Sequence, residues 1–407
     1  MANERRIGRI VGKFLIGLVW LVLTGLLVAT GVELFLKARS GRASANSGVQ
    51  KPRYERLREA YGPFTIQHIN PHYLFFFPFD PTKRAEINNE VCSVNEEGFR
   101  GPRPQNAGNR KLAFLLGGSS AFGHYASSDS TTITGYLNQI QQEYFFVNAG
   151  VPSWNSTQEL YRVAYQITEY KPALVIAYNG WNDLASMLDY WRKELVYPPG
   201  TPESFDHLYA LVGDIRAGEL RPPPTPPFYE KLFPRLTKRL RSRLTSDEKS
   251  ELTAPAYVPD DLIANTARKY TNNLTQMHDL VTLRGGRFIG IFQPILLLQK
   301  DIPRQFKGTL EESAYQRFHD MVVEKYKPKL EYHDLSGLFD ARGDEVLFFD
   351  NEGSNDITDK TIFVDRTHLY DYGNRIVAEQ ILCLLANSSD SRPLCHKQGT
   401  PLKTGPS

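Results

Sequence analysis

Lys111 to Gly123 reads KLAFLLGGSSAFG, an apolar run from Leu112 to Leu116 halted by two glycines and two serines. A short apolar run bounded by such a turn reads as a buried strand that hands a serine to a tight bend. Gly117 and Gly118 let the backbone turn with no Cβ in the way, so Ser119 presents its hydroxyl beyond the strand's C-terminal edge. Ser119 is therefore a candidate nucleophile. The same letters fit a plain helix cap, and they argue against a P-loop, which ends in Lys-Ser or Lys-Thr. The decision rests on whether a base and an oxyanion donor follow.

Both follow. A second apolar run, Ala173 to Tyr178, ends in Asn179-Gly180-Trp181-Asn182-Asp183, and a third, Thr361 to Val364, ends in Asp365-Arg366-Thr367-His368. An ester-cleaving serine needs a base for its proton, a carboxylate to orient that base, and preorganised donors for the tetrahedral oxyanion. His368, Asp365 and the Asn182 amide supply these in turn, each at the end of an expected strand. Neither short motif is specific alone; the three in this order are.

In this combination the chain resembles the SGNH hydrolases, also called GDSL-type esterases, from about Asn95 to Asn387. The resemblance implies a three-layer α/β/α, flavodoxin-like fold with no cofactor or metal. It assigns Ser119 as nucleophile, Asp365 and His368 as its partners, and Ser119, Ser153 and Asn182 to the oxyanion hole. Two positions depart from the family pattern. Gly118 stands where many members have Asp, a change compatible with the turn. In Asn148-Ala149-Gly150-Val151-Pro152-Ser153, Ser153 takes the place of the second-block glycine, and either Ser153 or Trp154 supplies the backbone donor. Asn95 to Gly101 and His333 to Phe339 also look like segments of membrane-anchored members. Arg100 and Asp334 within them read as buried pair-makers or turn-formers rather than catalysts.

Periodicity reaches the fold independently. Ile133, Tyr136, Leu137 and Ile140 share one helix face, as do Leu160, Val163, Ala164 and Ile167, and Ser156 to Glu159 reads as a capping box. Among these helices lie the short apolar runs Tyr144 to Val147, Ala173 to Tyr178, Phe288 to Phe292 and Tyr332 to Leu335. Strands alternating with amphipathic helices imply right-handed crossovers and a mainly parallel sheet covered on both faces, with the site at the strands' C-terminal ends.

The N-terminus carries a separate signal. Phe14 to Val32 contains no charge and is long enough to span a hydrocarbon core of about 30 Å as a helix, behind Arg5, Arg6, Arg9 and Lys13. A cleaved signal would have a shorter apolar region and a nearer cleavage site than Ala43-Ser44-Ala45. The expectation is a basic flank over 1–13, a membrane anchor over 14–36, a tether over 37–53, an N-terminal extension packed on the catalytic domain over 54–110, a hydrolase domain over 111–387, and a flexible tail over 388–407. The catalytic domain is expected outside the inner membrane, although Lys37, Arg39 and Arg42 blunt the charge bias.

With 48 basic and 45 acidic residues among 407, the net charge of +3 gives no argument for nucleic acid. Cys92, Cys383 and Cys395 form no metal spacing, and a Cys383–Cys395 disulfide and an unpaired Cys383 are both open. An insertion over about 184–260 holds the proline run Pro222 to Pro227 and a basic amphipathic stretch, Lys231 to Leu244, that fits a cap or a membrane-surface helix. Trp154 and Trp181, beside the oxyanion blocks, are candidate substrate contacts. The expected activity is removal of a short acyl group from an ester-bearing glycan, lipid or small molecule. Acyl transfer to a glycan by the same residues, or a non-catalytic envelope scaffold, are the alternatives.

Overall fold

The computed structural model describes residues 24, 30–32, 52–61, 88–192, 257–340, 346–349 and 356–386. One compact unit comprises 51–204 and 255–407, and a second comprises 1–50 and 205–254. In the second, only Thr24 and Thr30 to Val32 are described, and they are helical. The rest of the expected anchor, the proline run, the basic stretch, Cys395 and the tail lie outside the described residues. Among the described residues no helix is long and apolar enough to cross a membrane.

Five parallel strands form the main sheet: β1 (Lys111–Leu116), β2 (Tyr144–Asn148), β3 (Leu174–Asn179), β4 (Arg287–Phe292) and β5 (Tyr332–Asp334), in the order β2-β1-β3-β4-β5. That is the flavodoxin-like order. Alternate residues of each strand enter two separate cores. Phe114, Leu116, Val175, Ala177, Phe288 and Phe292 pack on one face against α4 (Ser156–Tyr165), α5 (Trp181–Arg192), α6 (Asp260–Leu283) and α7 (Leu310–Asp320). Ala113, Leu115, Leu174, Ile176, Ile289 and Ile291 pack on the other against α3 (Ile133–Ile140) and α8 (Asp371–Ala386). The sides follow from handedness. The β1-to-β2 crossover moves one way along the sheet and the later ones move the other way, so right-handed connections put their helices on opposite faces.

Two expectations change in register. The cap of α4 is Asn155, whose side chain accepts from Thr157 N while Gln158 closes the box, not Ser156 with Glu159. Both of those side chains are buried. The third motif's strand, β7 (Thr361–Phe363), pairs with β6 (Val346–Phe348) in a small parallel sheet of its own and does not extend the main one. On α3, Ile133 and Leu137 are buried, whereas Ile140 at the helix end stays exposed.

The described parts of the segment preceding β1, 52–61 and 88–110, pack onto the same unit. α1 (Arg53–Tyr61) places Tyr61 in the core, with its hydroxyl donating to Gly123 O at 3.1 Å and Ala126 O at 2.6 Å. Arg100, 1% exposed, binds Asp129, Phe122 O, Gly123 O, Tyr61 Oη and Val91 O, the buried pair-making role expected of it. Asp334 also pairs, with His319 Nε2 at 2.9 Å, and accepts from Ser336 N, but it is exposed rather than buried. Cys92 and Cys383 are both buried.

Candidate active site

β1 delivers the nucleophile segment. Gly117 lies at φ +147°, and a Cβ there would come 2.2 Å from Tyr178 O on β3, so the bend against the neighbouring strand needs glycine. Gly118 then caps a single helical turn, α2 (Ser119–Phe122), with Ser119 first. In this strand order the connections reverse direction between β1 and β3, and Ser119 and Asn182 follow those two strands. The crevice beyond such a reversal is where open α/β sheets bind ligands.

The loop after β7 meets the nucleophile there. Ser119 Oγ lies 2.6 Å from His368 Nε2 across 249 residues of sequence, and His368 Nδ1 lies 2.6 Å from Asp365 Oδ2. Asp365 Oδ1 accepts the N–H groups of Thr367 and His368, both at 2.9 Å. Burial pushes the Asp365 carboxyl up, but the His368 ring and these backbone donors outweigh it and hold the group well below the usual carboxylate range. An ionised carboxylate can only accept, so the ring proton belongs on Nδ1 and the Nε2 lone pair faces the Ser119 hydroxyl. That is the arrangement in which a serine can lose its proton as it attacks.

Aromatic packing holds the ring. His124 lies 5.0 Å and Tyr125 5.6 Å from it, centroid to centroid. Burial first, then the neighbouring His368, pushes His124 down to about 3, so it packs there as a neutral ring. No motif singles out either residue in the sequence. Tyr125's left-handed φ of +71° is the local sign that this turn is held from outside.

On the opposite side, Asn182 Nδ2 donates to Trp154 O at 2.7 Å, which uses one of its two hydrogens. The same nitrogen sits against Gly118: a Cβ there would lie 2.1 Å from it and 3.1 Å from Trp154 O. Glycine at position 118 is thus compatible with the turn, as expected, and in this arrangement Asn182 occupies the space that a side chain there would need. Ser153 has φ +68°, a left-handed conformation that glycine adopts without strain. Trp154 N donates to Val151 O at 3.1 Å, while no backbone acceptor is recorded for Ser153 N among the described residues. Of the two candidate donors, Trp154 is thus the one held by a backbone carbonyl.

The tryptophans part company. Trp154, 2% exposed, is in the core with Arg162 5.8 Å from its ring, so it contributes its carbonyl and not a pocket wall. Trp181 is half-buried and stacked on Tyr315 at 4.3 Å, with the Arg366 guanidinium 5.8 Å from its ring. It adjoins Asn182 in sequence and Arg366 in space.

Beneath this lies a buried polar layer. Asp183, next to Asn182, accepts from Ser156 Oγ at 2.5 Å and Ser156 N at 3.3 Å, and Asn273 Nδ2 donates to Ser156 Oγ at 2.8 Å. Asn179 donates to Glu159 Oε2 and accepts from Tyr270 Oη, both at 2.7 Å. The start of α5, and Asn182 with it, is thus fixed to α4 and α6.

No family model matches the chain, and no curated protein matches it. Solved structures similar to it include the acetyl xylan esterase AlAXEase (12% identity, TM-score 0.37, 67% of this chain and 99% of that one). A GDSL-like lipase from Bacteroides thetaiotaomicron (13%, 0.33, 71% and 92%) and a catalytic mutant of the acetylxylan esterase Axe2 from Geobacillus stearothermophilus (14%, 0.34, 67% and 93%) are also similar.

Proposed function

We propose that this chain is a serine ester hydrolase of the SGNH type, anchored in the membrane through 14–36 and acting on a short acyl ester outside the cytoplasm. The hydrogen-bonded line Ser119–His368–Asp365, with both links at 2.6 Å, carries the reading.

Ser119 Oγ attacks the ester carbonyl carbon as His368 Nε2 takes the hydroxyl proton, and Asp365 stabilises the imidazolium. The negative charge that develops on the carbonyl oxygen falls between the Ser119 N–H, the Ser153 N–H and the second hydrogen of Asn182 Nδ2. His368 then gives its proton to the departing alkoxide as the carbon–oxygen ester bond breaks, leaving an acyl-serine. Water, deprotonated by the same nitrogen, attacks that acyl carbon, and the carboxylic acid leaves as Ser119 recovers its proton. Trp181 borders the substrate's approach.

Purified full-length protein in detergent should hydrolyse p-nitrophenyl acetate, and Ser119→Ala or His368→Ala should reduce turnover to background. Equal turnover by wild type and Ser119→Ala would remove the assignment.

A further inference from the structure

Gln293, the residue directly after β4, belongs to no motif, yet its side chain reaches both halves of the site. Its Nε2 donates to Ser120 Oγ at 3.1 Å and to Thr367 Oγ1 at 2.8 Å. Ser120 Oγ in turn donates to Thr367 O at 3.0 Å. Ser120 follows the nucleophile. Thr367 lies between Asp365 and His368 and donates its own N–H to Asp365. Gln293 N donates to Asn179 O at 2.9 Å, carrying the β3–β4 ladder one residue past the strand ends, and Leu296 N holds Arg366 O at 2.9 Å.

All three side chains are buried, with Gln293 3%, Ser120 5% and Thr367 4% exposed. Water cannot replace the amide's two bonds there, and removing it takes one donor from each hydroxyl, leaving Ser120 Oγ its bond to Thr367 O and its 3.3 Å contact with Thr367 Oγ1. The location matters because β7, which leads into Asp365, has β6 as its only partner strand among the described residues and takes no register from the main sheet. The loop that bears the base needs another reference to the strand that bears the nucleophile.

We infer that Gln293 is a positioning residue that sets the Ser119–His368 distance, clamping Ser120 and Thr367 to the end of β4. The inference rests on the hydrolase reading above. A near-attack geometry is sensitive to sub-ångström displacement, so loss of the clamp acts on the chemical step and leaves substrate binding alone.

The test is Gln293→Met, which keeps the unbranched length and removes both donors. In full-length protein, kcat on p-nitrophenyl acetate should fall roughly 10-fold to 100-fold with KM close to wild type, and fluorophosphonate labelling should slow in step. Thr367→Val should produce a similar kcat loss, and adding Gln293→Met to it should cost far less than the single change does, since both remove one clamp. A general loss of packing would lower Tm without this kcat-only pattern or this non-additivity. If Gln293→Met does not fold, Thr367→Val and Ser120→Ala carry the test through the same kcat-against-KM split. Folded variants with wild-type kcat, or fully additive losses, overturn the inference. A wild-type protein that neither hydrolyses the ester nor labels overturns the hydrolase reading itself, a result distinguishable because no variant is then involved.

Discussion

Asn182 and Gly118 compete for one volume at the bend after β1, and glycine is what lets the amide approach the nucleophile. Gly118→Ala should therefore misplace the Asn182 amide, whose nitrogen lies 2.1 Å from where the new Cβ would sit. The expected cost is roughly 10²-fold in kcat with a fold that still melts cooperatively, as for a misplacement of about an ångström. Wild-type kcat in that variant would contradict the packing. Asn182→Ala, which removes a donor and creates no clash, should lose roughly 10²-fold to 10³-fold in turnover while Ser119 still reacts with a fluorophosphonate. Retained turnover on the p-nitrophenyl ester would strip Asn182 of its role. Ser119, Asn182, Asp365 and His368 were all legible in the sequence, because each ends an apolar run and belongs to a set whose chemistry needs all its members. Gln293, His124 and Thr367 were not. A lone glutamine or histidine beside a strand has no periodicity to betray it, and its partners come from distant segments.

Among the elements, the loop after β2 and the cluster under α4 behave differently from a sequence reading. Ser153 already holds the backbone of a glycine, so Ser153→Gly should preserve turnover, since the donor is the main chain. Ser153→Pro should abolish it, because proline has no N–H and cannot adopt the φ of +68°. Equal activity in both would move the oxyanion donor elsewhere. Ser156 and Glu159 have the letters of a capping box, but a buried acid and a capping acid look alike in sequence; Asn155 caps, and Glu159 is bonded to Asn179 instead. Burial, then the Asp183 charge, pushes Glu159 well above its ordinary 4.5, against the Asn179 hydrogen bond. With the folded value raised, its stabilising contribution is complete below the unfolded value and is lost as pH rises through the folded one. Glu159→Gln should remove that slope, making the variant the more stable at neutral pH and the advantage vanish below the ordinary carboxyl range. Parallel curves of Tm against pH for the two proteins would contradict the buried, proton-holding glutamate.

Across the molecule, the alternation of apolar runs and amphipathic helices sufficed for the main sheet, because strands buried on both faces read as unbroken apolar runs. It could not reveal that β7 pairs outside that sheet, since a three-residue run carries no information about its partner. The proposed topology is a separate question of scale. Arg5, Arg6, Arg9 and Lys13 should keep the N-terminus inside while a long C-terminal domain carries Lys37, Arg39 and Arg42 across. Alkaline phosphatase fused after Asn387 should then be active, and a silent phosphatase beside a fluorescent cytoplasmic reporter at the same site would reverse the orientation. Neither result bears on whether the chain is an esterase. That claim is tested most directly by treating the purified full-length protein with a fluorophosphonate and mapping the adduct by peptide mass. The account predicts one modified serine, Ser119, with labelling lost in Ser119→Ala and strongly slowed in His368→Ala. Absence of an adduct on folded wild-type protein, or an adduct that persists in Ser119→Ala, would contradict it.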